Sequence, residues 1–96
     1  MIAMEQRLRR ALSRRRKRHI VNAGLAPSAV LVPIYYKQGE YHILFTKRTQ
    51  MVKEHKGQIS FPGGAYQEGD KMLVNTALRE CAEEIGLMAH QVEVLG

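Results

Sequence analysis

The sequence predicts one small α/β domain preceded by a basic segment. Its 96 residues suit a single domain. Two runs rich in β-branched and aromatic residues flank a short turn, and a pair of glycines follows a third, shorter run. A long amphipathic helix comes next. We divide the chain into a basic N-terminal helix or arm, residues 1–22, and the N-terminal portion of a domain, residues 23–96.

The N-terminal segment carries most of the positive charge. Residues 1–20 hold eight of the fifteen Lys and Arg and a single acid, giving a net charge of +7, whereas residues 21–96 carry −1. Good helix formers over residues 4–19 predict a helix with a narrow apolar stripe. It is either a solvated basic helix or an electrostatic arm for nucleic acid, an anionic membrane or a polyanionic substrate. Without aromatic side chains it is poorly suited to single-strand binding.

A β-hairpin is predicted after a Gly- and Pro-containing linker at residues 22–28. Residues 29–36 form its first strand, with Pro33 at an edge or a bulge because proline donates no ladder hydrogen bond. Gln38 and Gly39 make the turn, and residues 41–46 form the second strand. The short connection favours antiparallel pairing.

A basic segment, residues 47–60, precedes the glycine pair. It is interpreted either as a solvated loop or as the lining of a site for anionic groups. A short strand at residues 59–61 leads into a predicted turn at residues 62–64. Gly63 and Gly64 permit positive φ and a close approach of the backbone to a ligand, although such turns are common.

The strongest helix prediction covers residues 71–85. Asp70 suits the N-cap, and Gly86 suits the left-handed position that ends a helix. One stripe of this helix collects apolar side chains and forms the predicted core face: Val74, Leu78, Cys81 and Ile85. Residues 92–95 predict the start of another strand.

Three carboxylates, Glu80, Glu83 and Glu84, lie on another side of the helix. At spacings of three and four residues they repel one another unless a cation or a basic residue intervenes. They form either a solvated acidic face or a site for a hard divalent cation, since clustered carboxylate oxygens select Mg²⁺ or Mn²⁺. Arg79 can offset part of the repulsion by pairing with Glu83.

Residues 79–87, RECAEEIGL, resemble the R-E-U-x-E-E-x-G-U core of the Nudix box, where U is a bulky aliphatic residue. Fourteen residues separate Gly64 from Arg79, where the general box has thirteen, and Lys71 stands at the place of its glutamate. Residues 44–64 resemble the L-L-T-x-R-S-x3-R-x3-G-x3-F-P-G-G signature of the coenzyme A diphosphatase branch. That branch shares the longer spacing and an aspartate at the place of Asp70. The departures are Cys81 in the box and Phe45, Thr49 and Lys53 in the signature.

The resemblance implies a Nudix α/β/α sandwich around a mixed sheet. It also implies metal-dependent hydrolysis of coenzyme A or acyl-CoA to adenosine 3′,5′-bisphosphate and 4′-phosphopantetheine or its acyl form. The implied ligands of Mg²⁺ or Mn²⁺ are Glu80, Glu83, Glu84 and the carbonyl of Gly63, with Arg79 orienting a glutamate in the catalytic group. The implied substrate contacts are Arg48, Lys53, His55 and Gly64.

Two other functions stay open at this point. One is hydrolysis of another nucleoside diphosphate derivative, such as ADP-ribose. The other is an inactive Nudix scaffold that binds nucleic acid or membrane through residues 1–20. Because family domains continue past the box, we expect a domain truncated after the start of the next strand. Its unpaired sheet edge is expected to favour self-association.

The cysteine content and hydropathy narrow the class of protein. A single cysteine excludes an intrachain disulfide and predicts a reducing, cytoplasmic location. The Arg-rich, acid-poor N-terminus also fits a mitochondrial presequence. No apolar run reaches the roughly 18 residues that a membrane-spanning helix needs.

Overall fold

The computed structural model describes residues 4–18, 24–47 and 57–96. These residues form helix α1 (Met4–Arg14), strands β1 (Ser28–Val30), β2 (Ile34–Lys37), β3 (Glu40–Ile43), β4 (Thr46–Lys47), β5 (Ile59–Ser60) and β6 (Gly63–Ala65), and helix α2 (Leu73–Ile85). Single 3-10 turns lie at Glu68–Asp70 and Ala89–Gln91. The combination of helices and strands confirms the predicted α/β class.

The described strands form three antiparallel pairs, β1 with β6, β2 with β3, and β4 with β5. The β2–β3 pair is the predicted hairpin. Its turn residues Gln38 and Gly39 have φ of 54° and 79°, as a type I′ turn requires. Tyr35 stacks on His42 across the pair, with ring centroids 5.1 Å apart.

Both strands predicted for the hairpin are broken in two. Residues 31–33 separate β1 from β2, and residues 44–45 separate β3 from β4. Pro33 marks the first break because it has no N–H to donate, although its carbonyl accepts a hydrogen bond from the Leu44 N–H at 3.1 Å. Since each half pairs with a different partner, β1 can leave the hairpin and join β6.

The predicted turn at residues 62–64 is wrong, because the glycines are part of strand β6. Gly63 lies opposite Val30, and Gly64 lies opposite Ala29. Positive φ occurs instead at Gly39, Gly57 and Gly86 among the described glycines. A Cβ added to Gly63 would clash with the Ala29 carbonyl oxygen. Glycine is needed there for close packing of the two strands.

Helix α2 packs against β1 and β6. The predicted core face is right at Cys81, which is fully buried, and wrong at Val74, which is 36% exposed. Thr76 and Ala77 are buried instead, so the helix is turned about its axis toward its small side chains. Burial raises the pKa of the Cys81 thiol, with the Glu84 carboxylate adding to the effect, and the thiol therefore stays neutral.

The prediction for the C-terminal end of α2 is confirmed, whereas the prediction for its N-terminal end is wrong. Gly86 has φ 72° and closes the helix in the left-handed conformation, as predicted. At the other end the N-cap is Met72, and the prediction that Asp70 caps the helix is wrong. Lys71, with φ 67°, separates the 3-10 turn from the helix. The carboxylate of Asp70 is used elsewhere, as described below.

Helix α1 ends at Arg14, before the predicted boundary at residue 19. Arg9 Nη2 donates to Glu93 Oε1 at 2.6 Å, and Arg9 Nη1 donates to the Val94 carbonyl at 3.5 Å. Residues 92–96 form no strand, so the prediction that a strand starts at residues 92–95 is wrong. The Val94 carbonyl accepts a hydrogen bond from the Arg9 side chain, and no neighbouring strand pairs with this segment among the described residues. The division between residues 22 and 23 stays a prediction.

An apolar groove of about 1000 Å³ lies between α1, residues 30–36 and the last residues of the chain. Its wall includes several exposed apolar side chains of the first three strands and the segments between them. Self-association through the sheet stays a prediction. Neither helix of the described ranges has the length and apolar character that crossing a membrane requires.

Candidate functional site

The site is organised around the buried carboxylate of Asp70. Its Oδ1 accepts a hydrogen bond from Arg79 Nε at 2.8 Å, and its Oδ2 accepts one from Arg79 Nη2 at 3.1 Å. Oδ2 also accepts from the Gln67 N–H and from Thr76 Oγ1, both at 2.9 Å. The hydrogen bond from Arg79, followed by that from the Gln67 N–H, holds the pKa of Asp70 well below its usual range. Asp70 is therefore a charged anchor for Arg79.

Arg79 connects Asp70 to the acidic side of α2 and to β6. Its Nη1 donates to Glu80 Oε1 at 2.9 Å and to Glu83 Oε1 at 3.3 Å. Its Nη2 donates to the Ala65 carbonyl at 3.0 Å. The hydrogen bond to Asp70 is the main cause of an upward shift in the pKa of Arg79, so the guanidinium is always charged. These contacts are what the predicted orienting role requires, and that role stays a prediction.

The three glutamates occupy different environments. Glu80 is only 18% exposed at its side chain, whereas Glu83 is 58% exposed. A Cβ added to Gly64 would lie 2.5 Å from Glu80 Cδ, so the Glu80 carboxylate rests directly on the backbone of β6. Glu84 is exposed and lies close enough to Cys81 to affect its pKa. The absence of a side chain at Gly64 is therefore what lets Glu80 face the strand.

The donor set suits a hard divalent cation in kind. Glu80 and Glu83 offer only oxygen donors, and both reach one cationic atom, Arg79 Nη1. Across residues 4–18, 24–47 and 57–96, no three His, Cys, Asp or Glu side chains converge as a metal-binding group. Mg²⁺ commonly takes one or two protein carboxylates and completes its shell with water and substrate phosphate. Glu80 and Glu83, which both reach the Arg79 guanidinium, are close enough together to meet that requirement.

The predicted phosphate-binding side chains, Arg48, Lys53 and His55, lie outside the described residues. The segment that carries them is bounded by the β4–β5 pair, in which Lys47 lies opposite Ile59. Phe45 stacks on Phe61 beside this pair, with centroids 4.7 Å apart. Strand β6 begins three residues after the end of β5, and the Glu80 carboxylate lies against Gly64 in β6. The contacts assigned to these three side chains, to Gly64 and to the Gly63 carbonyl stay predictions.

Sequence reasoning missed two parts of the site. It interpreted Asp70 as a helix cap, although the residue instead binds a side chain nine positions later. It also gave no role to Thr76, whose hydroxyl bonds the same carboxylate. A signal was available for Asp70, because the aspartate is one of the features shared with the coenzyme A diphosphatase branch. No pattern in the sequence indicated Thr76.

Stability is expected to depend on pH through Asp70. Because the pKa of Asp70 is depressed in the folded chain, its contribution is present above the unfolded pKa, about 4, and is lost as pH falls below it. The denaturation midpoint of the parent should exceed that of an Asp70→Asn variant by a constant amount from neutral pH to about pH 5. The difference should then shrink toward pH 2. A difference that is unchanged or larger in acid would contradict the ionised anchor.

The two adjacent glycines are expected to respond differently to alanine. In Gly63→Ala the new Cβ meets backbone atoms of β1, so unfolding should become easier by about 1–3 kcal/mol. In Gly64→Ala the three atoms nearest the new Cβ all belong to the flexible end of Glu80, so the fold should persist while Glu80 moves, and the hydrolysis that the resemblance implies should fall about 100-fold. Denaturant unfolding and turnover separate the two effects. Gly69→Ala, whose Cβ would meet nothing within 4 Å, is the matched control; equal losses in all three variants would refute the contrast.

The fold and site define an α/β protein in which Arg79, paired with the buried Asp70, connects an acidic helix to a glycine-containing strand. A sequence model of the NUDIX domain matches residues 25–96. The chain therefore belongs to the Nudix family. It is 41% identical over 78 residues to the protein named uncharacterized Nudix hydrolase NudL of Yersinia pestis (strain Pestoides F). The NudL protein of Yersinia pseudotuberculosis serotype O:1b (strain IP 31758) gives the same identity.

The alignments cover most of this chain but less than half of each relative. Each alignment covers 81% of this chain and 39% of the relative. The chain therefore spans about two fifths of the length of the curated relatives it matches.

Proposed function

We propose that the chain provides the cation and phosphate site of a hydrolase that cleaves the phosphoanhydride of coenzyme A or acyl-CoA. The products would be adenosine 3′,5′-bisphosphate and 4′-phosphopantetheine or its acyl form. The observation that carries this proposal is the fixed position of two carboxylates, Glu80 and Glu83, on one guanidinium that is itself anchored by Asp70. Membership of the Nudix family supports hydrolysis. The signature in residues 44–64 supports the choice of coenzyme A.

Each described residue has a distinct task in this proposal. Glu80 and Glu83 would hold Mg²⁺ or Mn²⁺ at the β6–α2 junction, with Glu84 and the Gly63 carbonyl as the further ligands that the family resemblance implies. When bound, the cation supplies Lewis acidity toward phosphoryl oxygens and makes water more acidic. Arg79 keeps Glu80 and Glu83 in place and limits their mutual repulsion. Asp70 and the Ala65 carbonyl hold the guanidinium from behind.

Substrate phosphates would be bound by the basic segment between β4 and β5. Arg48 would form charge-assisted hydrogen bonds with phosphate oxygens, and His55 would add a further donor. Lys53 supplies a point charge without the two-pronged geometry of a guanidinium. The pairing of Lys47 with Ile59 brings both ends of this segment together. The segment therefore starts and finishes close to the strand that leads to Glu80.

The proposal is tested by incubating this chain and a full-length NudL relative with coenzyme A, acetyl-coenzyme A or ADP-ribose, in Mg²⁺ or Mn²⁺. Ion-exchange chromatography then identifies the nucleotide products. We expect adenosine 3′,5′-bisphosphate from the coenzyme A substrates, and none in the presence of excess chelator. Cleavage of ADP-ribose with coenzyme A left intact would contradict the proposed substrate. No hydrolysis of any substrate by either protein would contradict the proposed reaction.

A further inference from the structure

Helix α1 has a cationic side that the proposed hydrolysis does not use. Residues 4–18 contain eight Lys and Arg and a single carboxylate, Glu5. Only Arg9 among these cations has an ion-pair partner within the described part of the chain. Arg7, Arg10 and Arg14 recur at intervals of three and four residues and are all exposed. They form a cationic stripe about 10 Å long on one side of the helix.

The opposite side of α1 is turned toward the rest of the chain. Met4, Leu8 and Leu12 line the apolar groove. A Cβ added to Gly96 would lie 2.7 Å from Leu12 Cβ, so the helix closely approaches the end of the chain. The Arg9–Glu93 ion pair, at 2.6 Å, ties the helix down at one edge. Docking in this way leaves the cationic stripe as the outward surface.

We propose that the cationic stripe, Arg7, Arg10 and Arg14, binds the phosphodiester backbone of a nucleic-acid duplex without reading its sequence. Guanidinium groups bind phosphate through paired charge-assisted hydrogen bonds. Within the described ranges none of these three guanidinium groups has an ion-pair partner, so each can bind an external phosphate without losing such a contact. Binding would be driven by the release of counterions condensed on the duplex.

Two features favour a duplex over other anionic surfaces. Residues 4–18 contain no Phe, Tyr or Trp, whereas proteins that bind single strands stack bases on aromatic side chains. A helix that binds a bilayer inserts its apolar side among the lipids. In α1 that side lines the groove, with Met4 and Leu8 half-buried. A duplex presents its phosphates on the outside, so the exposed arginines can bind them while the apolar side of α1 stays in the groove.

The test measures binding of the whole chain to fluorescently labelled 20-base-pair duplexes of DNA and RNA over a range of salt concentrations. The Arg7→Gln, Arg10→Gln, Arg14→Gln variant is compared with a control, Lys37→Gln, Lys47→Gln, Lys71→Gln, which loses the same charge elsewhere. The arginine variant should lower the slope of log Kd against log salt by about 3. At about 0.1 M salt its affinity should fall at least tenfold, with little change in the control. Circular dichroism checks that α1 is retained.

Several outcomes would overturn the proposal. One is a parent chain that does not bind either duplex at low salt. Another is an equal loss in the arginine and lysine variants, which would indicate a general charge effect. Tighter binding to vesicles of phosphatidylserine and phosphatidylcholine than to the duplexes would assign the stripe to a membrane. None of these results depends on coenzyme A hydrolysis, because binding is measured without substrate or divalent cation.

Discussion

Replacement of Asp70 by asparagine is expected to reduce divalent-cation-dependent hydrolysis by about 100-fold. The two carboxylate oxygens of Asp70 accept from Arg79 Nε and Nη2. Asparagine keeps the size of the side chain, but it replaces one acceptor with an NH₂ group that can only donate. Because a guanidinium has no acceptor, one contact becomes a donor facing a donor. Arg79 then loses its anchor, and Glu80 and Glu83 lose their fixed position.

The control for this substitution is Glu68→Gln. Glu68 is an exposed acid in the same 3-10 turn, and it loses the same charge. We expect it to keep nearly full turnover. Turnover and metal affinity should both fall in Asp70→Asn, since Asp70 acts through Arg79 and is a positioning residue. Full activity in Asp70→Asn, or an equal loss in Glu68→Gln, would contradict the role assigned to the Asp70–Arg79 pair.

The combined Glu80→Gln, Glu83→Gln substitution is expected to reduce hydrolysis by about 100- to 1000-fold. Both carboxylates offer oxygens to one cation, whereas a glutamine amide offers a neutral oxygen that binds Mg²⁺ weakly. The fold should persist, because Asp70 and the Ala65 carbonyl still hold Arg79. Removing two neighbouring negative charges also relieves repulsion on α2. Activity and stability are thus expected to change independently.

Thermal unfolding and turnover, measured on the same preparation, distinguish this expectation from a purely structural role. If Glu80 and Glu83 served only as partners of Arg79, the double variant would unfold at a lower temperature and lose activity in proportion. Glu40→Gln, in the β2–β3 hairpin, controls for loss of an exposed carboxylate. Retention of full activity by the double variant would remove these residues from the proposed reaction.

The sequence predicted those elements that are determined by residues close together in the chain. The hairpin turn could be predicted from Gln38 and Gly39, and the end of α2 from Gly86. Each of these residues has the positive φ that the adjoining strands or helix need at that position. The acidic helix was predicted for the same reason. Helical periodicity also placed Cys81 correctly in the core.

The parts that could not be predicted depend on distant partners. Asp70 has the properties of an N-cap, and only the position of Arg79 in the folded chain reveals its actual contact. Val74 is as apolar as a core residue, yet α2 turns its small side chains toward β1 and β6, and Gly64 leaves room on β6 for the Glu80 side chain of the helix. The breaks in both hairpin strands likewise depend on partners, β6 and β5, that come later in the chain.

The most direct test of the proposed cation site is the binding of Mn²⁺, measured by electron paramagnetic resonance of the free ion in the absence of substrate. Addition of the parent chain should reduce the free Mn²⁺ signal in a saturable manner, and excess Mg²⁺ should restore it. The Glu80→Gln, Glu83→Gln variant should leave most of the signal unchanged, whereas Glu40→Gln should behave like the parent. If the parent leaves free Mn²⁺ unaffected, or if the double variant binds it as tightly as the parent, Glu80 and Glu83 do not form the cation site.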